Sequence, residues 1–168
     1  MDPDTFDSRL AVASERLTAL GERLRTGGPW PLAERFDHAP EAAWGPRETL
    51  AHLEEMLAYW LGEAERVVDM EAGPEPFGRL ATDSVRLAVI ERDRTLPIRE
   101  LVARVTVGIE RWRGRWAQLD ATERDRSGLH PTLGTLQVSD ISTRFVAGHL
   151  EDHLDQLDAA LPADPATG

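Results

Sequence analysis

Apolar residues recur at helical spacing along nearly every long segment of this chain, and no segment shows the apolar–polar alternation of a half-buried strand. Phe6, Leu10, Ala13, Leu17, Leu20 and Leu24 form the first stripe, with Asp4 as the expected N-cap and Gly27-Gly28-Pro29 as the stop. Trp44-Gly45-Pro46-Arg47-Glu48 reads as a second helix start: proline falls in the first turn and an acid follows. That helix is predicted to run to about Met70, with Leu53, Leu57, Trp60, Ala64, Val67 and Val68 as its stripe. A third helical stretch covers about residues 81–94. Pro97 then either starts a new helix or kinks a long one, before Leu101, Val105, Ile109, Trp112 and Trp116 continue the spacing. Residues 120–136 are polar and turn-rich. A last helix is predicted from Ser139 or Asp140, with Val146, Leu150, Leu154, Leu157 and Leu161 inward.

Four long amphipathic helices with one apolar stripe each predict an all-α fold, a four-helix bundle within a single domain spanning residues 1–168 with loose termini at 1–4 and 162–168. The loops after the first helix and before the last are longer than bundle connections usually are, which leaves room for an order other than up-down-up-down. Composition agrees: 41% hydrophobic and 29% charged residues are those of a globular domain. The net charge of −11, without any basic block, argues against nucleic acid and anionic membranes as partners. All 19 basic residues are arginine, which together with the Ala, Gly and Pro content suggests a GC-rich bacterial genome. There is no cysteine, so disulfides, thiolate metal sites and a cysteine nucleophile are excluded. No signal pattern or membrane-length apolar run is present, and a cytoplasmic location is the expectation.

One stretch carries chemistry. In Gly148-His149-Leu150-Glu151-Asp152-His153, two histidines four apart project from one helix face, a spacing that lets both imidazoles reach one metal ion. It is not the zinc-protease motif, because Leu150 stands where His-Glu-x-x-His needs glutamate and Glu151 points nearly opposite His149. A third ligand must come from elsewhere. His52 lies about 100° round from Leu53, on the flank of the second stripe, just as His149 and His153 flank the last. If those helices are neighbours, three imidazoles meet, a set that suits zinc, nickel, iron or copper and leaves a coordination position for substrate.

The order and spacing of three segments resemble the DinB/YfiT superfamily. They are Trp44 through Leu53, where a Trp precedes a Glu-x3-His helix, the loop His130-Pro131-Thr132-Leu133-Gly134-Thr135-Leu136, and Gly148 through Leu157. The likeness runs from about Leu10 to Leu161. The resemblance implies a four-helix bundle, often dimeric, whose histidine triad, here His52, His149 and His153, binds a divalent transition metal such as zinc, nickel, iron or manganese. It also implies a small-molecule substrate and, in members with assigned activities, transfer or isomerisation that uses a low-molecular-weight thiol of the mycothiol or bacillithiol type.

Other readings stand beside these. A histidine beside an apolar stripe is commonly a hydrogen-bonded core or rim residue. Glu48, Glu55 and Asp152 are candidates to orient the imidazoles, although helix-face carboxylates are usually just solvated. Tyr59 and Gln156 are candidate substrate contacts, with packing as the simpler role for Tyr59. His38 and His130 fall in predicted loops and read as surface or turn residues. The five tryptophans read as core and loop anchors. No residue is identified as catalytic. A metal-dependent hydrolase and a non-catalytic binding or stress-response module remain alternatives to thiol transfer.

Overall fold

The stripe from Phe6 to Leu24 is the buried face of α1 (Pro3–Gly27), all six of its apolar residues lying in the core. The computed structural model describes residues 3–34 and 41–162, so the expected surface position of His38 lies outside the described residues. Among the described residues α1 begins at Pro3, which places Asp4 inside the helix instead of at its cap; proline is well suited to a first helical turn. A short 3-10 turn, Glu41–Ala43, leads into α2 (Pro46–Val68), which has Gly45 at its cap and Pro46 in its first turn. Helix α3 (Ser84–Asp93) is capped by the Asp83 carboxylate, which accepts from the Arg86 N–H at 2.9 Å. Pro97 starts a separate helix, α4 (Ile98–Gln118), and does not kink a longer one. After one turn of helix, α5 (Ala121–Arg124), and a hairpin, the chain ends in a continuous helical rod. The rod comprises α6 (Val138–Asp140), a π-helical stretch (Ile141–Gly148) and α7 (His149–Ala159), and the torsions stay right-handed helical across both junctions.

The long helices pack around one core, α4 against both α1 and α2, and the C-terminal rod against α1 and α2. Side-chain pairs give the directions. On α2 and α4, Glu54 lies near Arg104, the Leu57 carbonyl accepts from Trp112 Nε1 at 2.9 Å, and Glu65 lies near Arg115, so these two helices run parallel. On α1 and α7, Arg9 pairs with Glu151, Arg16 with Asp155 and Arg23 with Asp158, each at 2.6 Å, so these also run parallel. Arg113 pairs with Asp7 at 2.8 Å while Val102 lies against Gly21, which makes α1 and α4 antiparallel.

A helix can follow a parallel neighbour only if the chain first travels back along its whole length, about 34 Å for the 23 residues of α2. Residues 69–97, including α3, make that return. The departure from an up-down-up-down order therefore arises between α2 and α4, and not in the two long loops where sequence length suggested it.

The polar stretch before the last helix is not wholly irregular. Strands β1 (Ser127–His130) and β2 (Gly134–Gln137) form an antiparallel hairpin in which His130 pairs with Gly134. Its alternation escapes a sequence reading because the inward positions of β1 are Gly128 and His130, neither of them an apolar side chain. Glycine is required at 128 by close approach: a Cβ there would lie 2.6 Å from Phe77 Cδ1 and 3.0 Å from Val67 Cγ2. Among the described residues, no helix is long and apolar enough to cross a membrane. We expect Gly128→Ala to lower stability by about 1–3 kcal/mol through overpacking against Phe77 and α2, measured as the shift in the urea unfolding free energy.

Candidate metal centre

The wide buried face of α2 brings His52 inside. Because α4, α3 and the C-terminal rod all pack against α2, its flank is covered as well as its stripe, and His52 is only 3% exposed. His149 and His153 occupy successive turns of α7, on the side that meets α2. The three rings meet nearly at right angles, with interplanar angles of 79–89°. His149 Nε2 lies 2.9 Å from His52 Nε2 and 3.2 Å from His153 Nε2. A fourth donor comes from the 3-10 turn: Glu41 Oε2 is 3.6 Å from His153 Nε2 and 4.0 Å from His52 Nε2. One ligand atom from each of these four residues lies within 4.8 Å of the others.

This donor set fits a divalent transition metal. Four bonds of roughly 2.0–2.1 Å in a tetrahedron place neighbouring ligand atoms about 3.3 Å apart, close to the separations between these nitrogens. Without a cation or a proton between them, facing lone pairs would oppose one another. Gln156 Oε1 accepts from His153 Nδ1 at 2.8 Å, and the amide is oriented by its Nε2, which donates to the Glu41 carbonyl at 3.0 Å. That network assigns the proton of neutral His153 to Nδ1 and turns the lone pair of Nε2 towards His149. On the other side, Arg86 Nη2 stands 3.4 Å from His52 Nδ1. A guanidinium only donates, so Nδ1 is the acceptor and the His52 proton sits on Nε2, pointing at His149. A metal bond at His52 Nε2 requires that proton to leave or to move to Nδ1.

Electrostatics keep two of the imidazoles neutral and the carboxylate anionic. Burial, with the charge of Arg86, pushes the His52 imidazolium well below its ordinary value. Burial and the neighbouring His153 lower His149 to about 4. Both imidazoles are therefore neutral at pH 7, the state in which they bind metal. Burial opposes ionisation of Glu41, but His153, His52 and Arg86 outweigh it and hold the carboxyl down at about 2. With His52 neutral, the standing partner of Glu41 at neutral pH is Arg86, with which it forms a short ion pair.

Of the other residues singled out by sequence, Gln156 touches a histidine, as an orienting acceptor. Glu48 is fully buried but accepts from the Ala33 N–H at 2.9 Å and pairs with Arg94 at 3.1 Å, fastening the incoming loop to α3. Glu55 pairs with Arg79, and that guanidinium lies 3.6 Å over the Tyr59 ring. Asp152 is exposed and reaches the site only through its charge on His149. Sequence reasoning passed over Glu41 and Arg86. Glu41 precedes α2 in a non-periodic segment, and Arg86 is one arginine among 19, so neither carries a local signal.

The centre forms one end of a cavity of about 290 Å³, whose walls include His52, His149, Trp60, Phe145 and His130. His130, expected as a surface or turn residue, borders the hairpin turn but is 8% exposed because the hairpin folds it inward, where it stacks on Phe145 at 5.3 Å. Burial lowers its pKa as well. Trp60 anchors the core as expected but also faces this cavity. Compared with protein-family models, curated proteins and solved structures, the chain finds no match.

Stability of the metal-free protein should depend on these histidines. An unfolded imidazole holds its proton to about pH 6.5 and folded His149 only to about 4, so the unfolded chain binds more protons in between. Stability is therefore expected to fall as pH drops through that window, by on the order of 2–3 kcal/mol for this group after allowing for its partial exposure. Urea titrations in chelator at pH 7 and pH 4.5 should show the loss, and His149→Gln should flatten it. An unchanged pH slope in the variant would contradict the assignment.

Proposed function

We propose that this chain is a divalent-metal-dependent enzyme built as a DinB-like four-helix bundle. His52, His149 and His153 are its metal ligands, and Glu41 faces the same point from the turn before α2, which leaves a position open for a thiol or water. The observation that carries this reading is the convergence of three imidazole Nε2 atoms and a carboxylate at one end of a cavity with an open mouth. A divalent metal held there supplies a Lewis acid that lowers the pKa of a thiol or water and presents it to an electrophile.

The chain's own groups do the rest. Gln156 holds His153 with its Nε2 lone pair inward, and the burial of His52 and His153 limits competing water. Arg86 pairs with Glu41 Oε1, which leaves Oε2 facing His153 and His52 as the oxygen that would meet a cation. The chain has no cysteine, so a reacting thiol is a diffusible cosubstrate of low molecular weight, and the reaction class we favour is transfer of that thiol to a small-molecule electrophile. A homodimer belongs to this proposal.

Protein purified without an affinity tag should hold close to one equivalent of zinc, nickel, iron or manganese by inductively coupled plasma mass spectrometry. The His52/His149/His153 triple-Ala protein should hold none. At zinc concentrations a hundred times Kd, wild type should gain about 2.7 kcal/mol in stability and the triple variant nothing. No metal in the purified protein, and no binding on titration with these ions, would end the metal-enzyme reading. Gln156→Leu should keep the stoichiometry but weaken zinc affinity by roughly 10- to 100-fold in a chelator competition, because His153 loses its orienting acceptor.

A further inference from the structure

The cavity beside the metal centre is built from two kinds of wall, and neither is needed to hold a metal. One wall is apolar: Trp60 and Phe145 stack at 4.3 Å with an interplanar angle of 7°, and Met56 lies beside them. The mouth carries Leu80 and Leu133, which come from separate loops and are 52% and 46% exposed although both border the cavity. Exposed leucines gathered at the rim of a pocket mark surface that a ligand can cover.

The other wall is cationic. In a chain of net charge −11, the charged side chains lining the cavity are Arg79, Arg86 and Glu41. Arg86 is committed, since its terminal nitrogens serve Glu41 and the Ala81 carbonyl. Arg79 is not. It has five N–H donors, of which one nitrogen, Nη2, meets Glu55, while Nη1 stands 3.9 Å from Asp83, beyond hydrogen-bonding range. The guanidinium is seated on the Tyr59 ring, so its plane is fixed before any ligand arrives.

The segment that presents Arg79 and Leu80 is anchored rather than loose. Phe77 N–H donates to the Leu129 carbonyl at 3.1 Å, and Leu129 N–H donates to the Glu75 carbonyl at 2.9 Å, which stitches this loop to the hairpin that bears His130 and Leu133. Gly78 N–H donates to the buried Glu63 carboxylate. Gly78 itself has φ +82°, and a Cβ there would lie 2.7 Å from His130 Cδ2, so the loop turns tightly against the imidazole. Positions held in this way are preorganised for binding.

We propose that this cavity binds an aromatic carboxylate. Its anion meets the spare donors of Arg79, its ring lies against Trp60 and Phe145, and its far end is covered by Leu80 and Leu133. A guanidinium pairs with a carboxylate through two parallel N–H bonds, and a space of about 290 Å³ is at the small end for ligand sites, suited to one or two rings. As a statement about substrate class the inference rests on the metal-dependent activity proposed above; as a statement about binding it stands without it.

The test is isothermal titration calorimetry of the full chain, zinc-loaded and as the His52/His149/His153 triple-Ala protein, with three probes: 2-naphthoate, the neutral 2-naphthylmethanol, and acetate. One molecule of 2-naphthoate should bind at least tenfold more tightly than either of the others. Arg79→Gln with Glu55→Gln, which leaves no buried unpaired charge, should abolish the preference over naphthylmethanol. Leu80→Asp with Leu133→Asp, at exposed positions where folding is not at stake, should weaken naphthoate at least fivefold while zinc content stays the same. Equal binding of naphthoate and naphthylmethanol would overturn the inference, as would naphthoate affinity that survives both double variants. Naphthoate that binds only with zinc and ignores Arg79 would also overturn it, since the anion would then sit on the metal. Zinc binding without naphthoate binding would defeat this inference and leave the metal reading intact. Selective naphthoate binding without any zinc binding would do the reverse.

Discussion

His149 Nε2 stands 2.9 Å from His52 Nε2 and 3.2 Å from His153 Nε2, and nitrogens that close cannot all present lone pairs without a proton or a cation between them. Much of the fold serves to maintain that crowding. His52 enters from α2, His149 and His153 from α7, and the two helices are held face to face by neighbours on their other sides. The bidentate pair of Arg9 with Glu151, followed by Arg16 with Asp155 and Arg23 with Asp158, ties α7 to α1 along its length. Each exposed pair contributes little to stability by itself. As a ladder they set the axial position of α7, and with it the height at which the two histidines meet His52.

Around the triad, charge is balanced locally. Glu41 and Arg86 form a pair at its edge, and Arg86 also faces His52 Nδ1. A cation entering the site gains a carboxylate but meets a guanidinium, so its affinity is a difference between opposing terms. Gln156 acts differently, because it is neutral. Its amide reads the proton of His153 on one side and two main-chain carbonyls, of Glu41 and Trp44, on the other. The loop that supplies Glu41 and the helix that supplies His153 are thereby joined through one side chain.

The cavity owes its shape to a crossover and a hairpin. The return from α2 to α4 carries Arg79, Leu80 and Arg86 past the site, and the hairpin closes the other side with His130 and Leu133. The π-helical stretch delivers Phe145 to the wall just ahead of His149. Such stretches give up regular hydrogen-bond spacing and are frequent near functional sites.

Helical periodicity was legible from residue types alone. Every member of the first stripe is buried, the second helix starts at the proline the sequence marks, and the flanking positions of His52 and His149/His153 follow from 100° per residue. Those are local properties, set by side-chain volume and backbone geometry within a few turns. Which helices run parallel, that residues 69–97 form the crossover, and that Gly128 and His130 face inward depended on long-range packing, which leaves no periodic trace. Glu41, Arg79 and Arg86 belong to the same class. A carboxylate or guanidinium in an irregular segment, or on a short helix as Arg86 is, looks solvated in sequence, and only the burial of a distant partner turns it into part of a site. The chain's sequence by itself determined the helices and the candidacy of three histidines; the tertiary structure decided what stands beside them, because charge and lone-pair contacts act across space and not along the chain.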